Sequence, residues 1–409
     1  MISIIIPTHN RSNLLKSCLT SIRQLNSQVT FEVIVVDNNS IDDTKEVSKE
    51  FDFVQYCFEP RTAFTKARNT GADKARGDIL LFLDDDATLQ GRSLDLIELI
   101  FSSASNCGMV AGRIEPKFSK VPPKNLLTCQ KTHNSWSLFN QETYPKLFKT
   151  AKQKPTIIVE NENFYKIDAA CGPCIAIRKK TYFEVGGFPP DTIGLESNDK
   201  NYFRKWYIGP GDSGLVKRVL NKKLDVLYSD SIWVEHEVSE FRFSDEFWFS
   251  RYFGEGTCGV FTYLVTGDKS QKGKIMFENK LIVTYLISLF KISISQFWKM
   301  EIGVNKYSLW LIQSLISLIT LSIFTNRHLS VSDIWKAGEL GISDNEISHF
   351  LNDLPQEWIR LLNYSYTTHH IANMNIIRFM YFQKKIIRDV FGTNVNVFGI
   401  IAKLITSRF

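Results

Sequence analysis

The sequence predicts an α/β fold: a mixed, mainly parallel central sheet flanked by helices over residues 1–240, followed by a mainly helical module over residues 241–409. Three observations carry this. Short β-branched runs alternate with stretches of helical period, and each run stops at a cluster of polar residues. The most pointed case is Ile79-Leu-Leu-Phe-Leu83, an apolar strand that drives straight into Asp84, Asp85 and Asp86. Ligands of parallel sheets bind at the carboxyl ends of the strands, and Thr8, Asp37 and Asp84 to Asp86 all fall there.

Taken in order, Ile2-Ser-Ile-Ile-Ile6 reads as a buried strand that stops at Pro7-Thr8-His9-Asn10. Leu14, Leu15, Cys18, Leu19 and Ile22 have helical spacing. A second strand, Phe31 to Val36, runs into Asp37-Asn38-Asn39-Ser40, and Ser40 or Asp42 is placed to cap a helix over Thr44 to Phe51. Strand, helix, strand, helix is the rhythm of a parallel sheet. Three adjacent carboxylates then demand compensation, because like charges this close raise one another's pKa. Oxygen ligands at a strand end suit Mg²⁺ or Mn²⁺, and a solvated acidic turn is the plainer alternative.

These pieces carry a family resemblance. Ser3-Ile-Ile-Ile-Pro-Thr-His-Asn10, Val33-Ile-Val-Val-Asp-Asn-Asn-Ser40, Ala67-Arg-Asn-Thr-Gly71 and Gly77-Asp-Ile-Leu-Leu-Phe-Leu-Asp-Asp-Asp86 stand in the order and at the spacings of family 2 glycosyltransferases. The resemblance covers about residues 1–240 and implies the GT-A fold, with a donor nucleotide half over 1–112 and an acceptor half over 113–240. It implies a sugar moved from a UDP-, GDP- or dTDP-sugar to a hydroxyl of a glycan or lipid-linked acceptor, with Mn²⁺ or Mg²⁺ as cofactor. In this scheme Asp37 would meet the nucleobase, while Thr8, the backbone beside Pro7, and Asn10 line the donor turn. Asp84 and Asp85 would face the ribose or a metal-bound water, and Asp86, with Asp84, would ligate the cation. Arg68 is either a positive charge near the phosphates or a structural arginine. Asn69 and Gly71 shape the backbone.

No G-x-x-x-x-G-K-[ST] loop is present, and no G-x-G-x-x-G follows the first strand, which disfavours a P-loop enzyme and a Rossmann dehydrogenase. A sugar-nucleotide pyrophosphorylase lacks support for want of a Gly-rich basic entry loop.

Beyond residue 110 the pattern loosens. Residues 113–165, with five prolines and scattered aromatics such as Trp136 and Phe164, read as an irregular insert. Cys171-Gly-Pro-Cys174 has the C-x-x-C spacing of redox motifs, but it occupies the place of a small-residue strand ahead of Val185-Gly-Gly-Phe188. Leu215, Val216, Val219 and Leu220 predict a helix with Asp212 at its N-terminal end, where a carboxylate is favoured by the dipole. Asp212 is a cap, and the resemblance makes it the general base of an inverting displacement. The family has Glu where this chain has Gly211, so Glu196 and Asp199 stand as substitutes. A further strand ends at Ile232-Trp-Val-Glu-His236-Glu237. The resemblance offers His236 as a third metal ligand, oriented by Glu237, against the plainer reading of a structural histidine.

The formal charge is +6, of which residues 241–409 supply +5, with 18 Lys+Arg against 13 Asp+Glu. Residues 307–326 carry no charge but include serines, threonines and Gln313, which favours a buried or interfacial helix over a membrane span. With Trp298, Trp310 and late basic residues, the tail suggests peripheral attachment at the inner face of the cell membrane. Ser343 to Glu346 forms a capping box. The chain enters a strand at once, and seven irregularly spaced cysteines fit a reducing, cytoplasmic setting. Dispersed basic residues without a binding motif give no support to nucleic acid as a partner. Two other readings remain, a scaffold subunit that keeps the fold without turnover and a retaining transferase.

Overall fold

The computed structural model describes residues 1–61, 63–124, 126–127, 155–189, 192–193, 206–207, 211–244 and 247–248. Two compact units divide the chain: Met1–Asp191 with Pro210–Ser244, and Thr192–Gly209 with Asp245–Phe409. In the second unit, Thr192–Ile193 and Trp206–Tyr207 pair as a short antiparallel ribbon. The expected insert residues 128–154, the substitutes Glu196 and Asp199, and the tail features from Leu281 onward lie outside the described residues. Among the described residues no helix is long and apolar enough to cross a membrane.

The first unit is built on one sheet. Its strands are β1 (Ile2–Thr8), β2 (Phe31–Asp37), β3 (Val54–Phe58), β4 (Ile79–Leu83), β5 (Ala87–Gln90), β6 (Cys107–Phe118), β7 (Ile157–Val159), β8 (Glu162–Lys166), β9 (Cys174–Arg178) and, after the second unit's ribbon, β10 (Asp225–Val238). Helices α1 (Ser12–Arg23), α2 (Thr44–Lys49), α3 (Phe64–Lys74), α4 (Ser93–Ser103), α5 (Lys179–Glu184) and α6 (Gly211–Asn221) flank it. The sheet runs β3-β2-β1-β4-β9-β6-β10-β8-β7, with β5 pairing β10. Strands β3, β2, β1 and β4 are parallel, as are β6 and β10; β9 lies antiparallel between β4 and β6.

Every residue of β1 and β4 is buried, which is why both read as unbroken apolar runs rather than as alternating ones. Leu15, Cys18, Leu19 and Ile22 of α1 are buried as their spacing predicts. α2 ends at Lys49, shorter than expected, and Asp42 accepts from the Thr44 N–H at 3.2 Å in place of a cap by the neighbouring Asp43. The described ends of the expected irregular insert are regular: residues 113–118 extend β6, and β7 and β8 form a hairpin. The extension has a partner in β10, a single strand with a bulge between Ser229 and Trp233 that lets it pair with β6 along its whole length.

Two polar groups fasten the sheet from below. Glu32, 8% exposed, accepts from Ser3 Oγ at 2.6 Å, Arg76 N at 2.6 Å and Arg76 Nε at 2.8 Å, while Ser3 Oγ in turn receives the Gly77 N–H at 2.8 Å. β1, β2 and the turn into β4 thereby share one carboxylate. Asn69 does the same on α3: its side chain donates to Phe188 O at 2.9 Å and accepts from Phe188 N at 3.1 Å, pinning the Val185 to Phe188 turn. Gly71 is required for close approach, because a Cβ there would run into the Ile5 side chain.

Burial works against ionisation of Glu32, but its bonds from Ser3 and Arg76 outweigh it and hold the carboxyl below the usual range. Glu32→Gln is expected to cost ~1–3 kcal/mol at neutral pH, since it sets an amide against donors. A depressed folded-state pKa gives stability that is present above the unfolded value of about 4.3 and lost as pH falls through the folded one. The gap between wild type and variant in thermal unfolding should therefore narrow below about pH 4.

Candidate functional site

The three carboxylates follow directly from the position of β4. Leu83 ends a buried strand, a turn closed by Ala87 N to Asp84 O at 3.1 Å carries Asp84 to Asp86, and β5 leaves at Ala87. β5 then pairs antiparallel with β10, setting Ala87 opposite His236, and the Glu237 N–H donates to Asp86 O at 2.8 Å. This register brings the imidazole to Asp86, with Nε2 3.2 Å from Oδ1. One ligand atom from each of Asp84, Asp86 and His236 lies within 4.8 Å of the others. Glu237 supplies backbone rather than a side-chain bond to the ring: His236 Nδ1 is buried with no hydrogen-bond partner among the described residues.

Each carboxylate is matched by a guanidinium. Arg68, on α3 and 2% exposed, donates Nη2 to Asp84 at 2.6 Å and Nη1 to Asp212 at 2.9 Å. Its guanidinium carbon lies 4.2, 5.0 and 5.9 Å from the ring centroids of Phe64, Phe188 and Phe82, which replace water around the charge. Arg11, just ahead of α1, reaches Asp85 at 3.1 Å and Asp86 at 3.2 Å, and Arg242, in the short 3₁₀ turn Glu240–Phe243, reaches Asp86 at 3.1 Å. Asp212, in the first turn of α6, keeps 30% of its side chain exposed. It is anchored by Arg68 and remains partly open to solvent.

The environments drive the carboxyls apart. Burial pushes Asp85 up to about 6 against the pull of Arg11, with Asp86 and Asp84 adding to the rise. Burial also raises Asp84 despite Arg68. Asp86 is buried too, but His236, Arg242 and Arg11 outweigh the burial and hold it well below the usual carboxylate range. Asp86 is thus the permanent anion of the group.

The donor set fits a divalent cation on an observation independent of any family. Asp86 Oδ1 is buried without a hydrogen-bond partner among the described residues, although a ring nitrogen stands 3.2 Å away. A carboxylate oxygen and an imidazole nitrogen at this distance, with an Asp84 oxygen close by, are the kinds of atom that ligate a cation. Two carboxylates and an imidazole suit Mn²⁺ at least as well as Mg²⁺, which prefers oxygen alone.

At the ends of β1 and β2, Thr8 stands opposite Asp37 in register, both 3% exposed, and Pro7 is buried within β1. Asp37 Oδ1 accepts from Ser40 N at 2.8 Å and Oδ2 from the Tyr56 hydroxyl at 2.7 Å, so this carboxylate shapes the turn after β2. Asn10, at φ 54°, accepts from Ile41 N at 2.8 Å through its side chain and donates its own backbone N–H to Ser40 Oγ at 3.0 Å, tying the two loops together. Thr8, Asp37 and Asn10 therefore share one edge with the acidic turn, while Asn10 and Asp37 have loop-holding bonds of their own.

Three contributors were invisible in sequence. Arg11 and Arg242 are single arginines in loops, signalled only by the need of buried carboxylates for cations. Gly172, inside the C-x-x-C, is the third: a Cβ there would meet Arg68 Nη2 at 2.6 Å and Asp212 Oδ2 at 2.7 Å. Among the described residues no disulfide links Cys171 to Cys174, and this segment leaves room for the Arg68–Asp212 pair.

Residues 3–183 match the model of "Glycosyl transferase family 2". An uncharacterized glycosyltransferase of Haemophilus influenzae is 28% identical over 200 residues, covering 49% of this chain and 60% of that protein. The GalNAc(5)-diNAcBac-PP-undecaprenol beta-1,3-glucosyltransferase of Campylobacter jejuni is 35% identical over 102 residues, 24% of this chain and 33% of that one. The chain thus spans less than two thirds of the length of either relative. The solved mannosyltransferase PcManGT from Pyrobaculum calidifontis, in complex with GDP-Man and Mn²⁺, is 12% identical with a TM-score of 0.43 over 100% of this chain and 88% of that one, too loose a likeness to bear on function. The mixed, mainly parallel sheet with flanking helices is the architecture that the sequence led one to expect over residues 1–240.

Arg68→Met should destabilise the first unit by ~3–5 kcal/mol, because it strands two carboxylates that share a buried partner. Adding Asp84→Asn should recover part of that loss in thermal unfolding; strict additivity of the two changes would mean that the pair is not coupled.

Proposed function

We propose that this chain, whose residues 3–183 match the model of glycosyl transferase family 2, is a metal-dependent transferase that moves a sugar from a nucleoside diphosphate donor to an acceptor hydroxyl with inversion. The observation that carries the reading is the convergence of Asp84, Asp86 and His236 beside an Arg68-anchored Asp212.

Asp84, Asp86 and His236 would hold Mn²⁺ or Mg²⁺, with Mn²⁺ favoured by the imidazole. When bound, such an ion supplies Lewis-acid stabilisation of charge on the leaving diphosphate. The chain's own residues do the rest. Thr8, Pro7, Asn10 and Asp37 form the edge against which the nucleoside lies, with Asp37 offering a remaining lone pair to a base N–H and Asp85 facing the ribose. Arg68 fixes Asp212 and Asp84 at once, so the acceptor base and the donor site cannot drift independently. Asp212 takes the proton from the acceptor hydroxyl as its oxygen bonds to the anomeric carbon, and the electron pair of the breaking C–O bond leaves with the diphosphate. In this reading residues 1–112 serve the donor and 113–240 the acceptor. The basic tail would bring the enzyme to an anionic membrane surface, where glycan or lipid-linked acceptors are assembled.

Calorimetry with UDP, GDP, dTDP and CMP should find one nucleoside diphosphate that binds only with Mn²⁺ or Mg²⁺, and Asp86→Ala should abolish that binding. Asp212→Asn should keep donor affinity within ~3-fold while transfer falls by ~10²-fold or more. Unchanged transfer would remove Asp212 as the base, and absence of any metal-dependent binding would favour a non-catalytic scaffold.

A further inference from the structure

Phe64 stands apart from the other rings around Arg68. Phe82 and Phe188 meet the same guanidinium and are fully buried, as rings that only exclude water from a charge should be. Phe64 lies nearest, with its centroid 4.2 Å from the guanidinium carbon, yet it stays 39% exposed, and no second aromatic ring packs on it among the described residues. The guanidinium covers one face, which leaves the other face and the edge to solvent. The ring is also placed in advance. Phe64 opens α3, and Ala63 before it donates its N–H to the Asn38 side chain at 2.8 Å, while that side chain donates to Glu59 O at 3.2 Å and Arg61 O at 2.7 Å. The start of α3 thus hangs from the turn that follows Asp37, and the ring is held before any ligand arrives.

A lone exposed apolar side chain needs no explanation elsewhere on a surface, but here its neighbours set its use. The guanidinium under Phe64 donates to Asp84 at 2.6 Å and to Asp212 at 2.9 Å, so the ring centroid and Asp212 Oδ1 are at most about 8.5 Å apart. An exposed apolar ring bordered by carboxylates suits a ligand that is apolar on its face and hydrogen-bonding at its rim. A pyranose has this character, because its C–H bonds gather on the faces and its hydroxyls point outward. The electron-rich face of the aromatic ring attracts those C–H hydrogens, and the carboxylates accept from the hydroxyls. A polyisoprenoid chain would cover the ring as well, but it would desolvate Asp212 and Asp84 without offering one hydrogen-bond donor.

We infer that Phe64 is the platform on which a pyranose ring lies at the reaction centre, a binding residue that selects a saccharide by its face. This rests on the proposed transferase reading and deepens it, since it names the chemistry held beside Asp212. Two sugars meet at such a centre, the one transferred and the one that receives it, and both present the same kind of face to an aromatic ring.

The test uses the full chain with Mn²⁺ and compares wild type with Phe64→Leu, which keeps an apolar cover over Arg68 without the aromatic face, and Phe64→Trp, which keeps that face. In one arm, calorimetry gives the affinity of UDP-, GDP- or dTDP-glucose relative to the matching diphosphate. In the other, with that diphosphate bound, saturation-transfer NMR follows methyl glycosides of glucose, galactose, mannose and N-acetylglucosamine, with geranyl phosphate as the lipid control. Phe64→Leu should weaken the sugar's contribution in at least one arm by ~3- to 10-fold, Phe64→Trp should stay within ~2-fold of wild type, and the bare diphosphate should bind all three alike. A loss in the first arm assigns the platform to the transferred sugar, and a loss in the second assigns it to the acceptor. An equal loss for the bare diphosphate, no loss in either arm, or a loss confined to geranyl phosphate would overturn the assignment. A wild type that binds Mn²⁺ but no nucleoside diphosphate would instead overturn the transferase reading, and this inference with it.

Discussion

Three consecutive carboxylates at the end of a buried strand are the constraint on which the rest of the first unit depends. Such a turn cannot be both buried and uncompensated, so the chain must deliver positive charge to it from several directions. It does so from three separate places: the loop before α1, the middle of α3 and the 3₁₀ turn after β10. Arg68 is the most committed of these, since it is buried under three aromatic rings and joins Asp84 to Asp212 across the site. A buried residue that holds two carboxylates of the candidate site fixes their separation.

The sheet makes this delivery possible. Parallel pairing of β1 with β2 and β4 lines their carboxyl ends along one edge, and the β5–β10 register then folds the far end of β10 back onto the acidic turn. Antiparallel β9 between β4 and β6 brings the turn with Gly172 under the Arg68–Asp212 pair. Small shifts in register would not be absorbed. A slip of one residue between β5 and β10 would point His236 to the opposite face of the sheet and leave Asp86 without it.

Much of this was legible in the sequence because burial on both faces writes itself as unbroken apolar runs. β1, β2 and β4 are such runs, and their polar ends located the acidic turn, Asp37 and Thr8. Asp212 was legible through the helical spacing of Leu215, Val216 and Val219 behind it. What could not be read were contacts that depend on long-range register. Arg11 and Arg242 belong to no periodic element, so nothing local ties them to residues 74 and 156 positions away. Gly172 looked like part of a thiol motif, and its function of leaving space appears only once Arg68 and Asp212 are seen to meet. Asp37 and Asn10 were read as ligand-facing, whereas each also holds a loop in place, a use that two nearby turns create and sequence spacing cannot show.

The central claim is that Asp84, Asp86 and His236 form a cation site that works with a nucleoside diphosphate. Crystals grown with Mn²⁺ and the nucleoside diphosphate of highest affinity, measured at the manganese absorption edge, test it most directly. The account predicts an anomalous peak bonded to Asp86 Oδ1 and His236, with Asp84 as direct or water-bridged ligand and phosphate oxygens completing the shell. A map without a peak there, in which Asp86 Oδ1 has found a protein hydrogen bond instead, would contradict it.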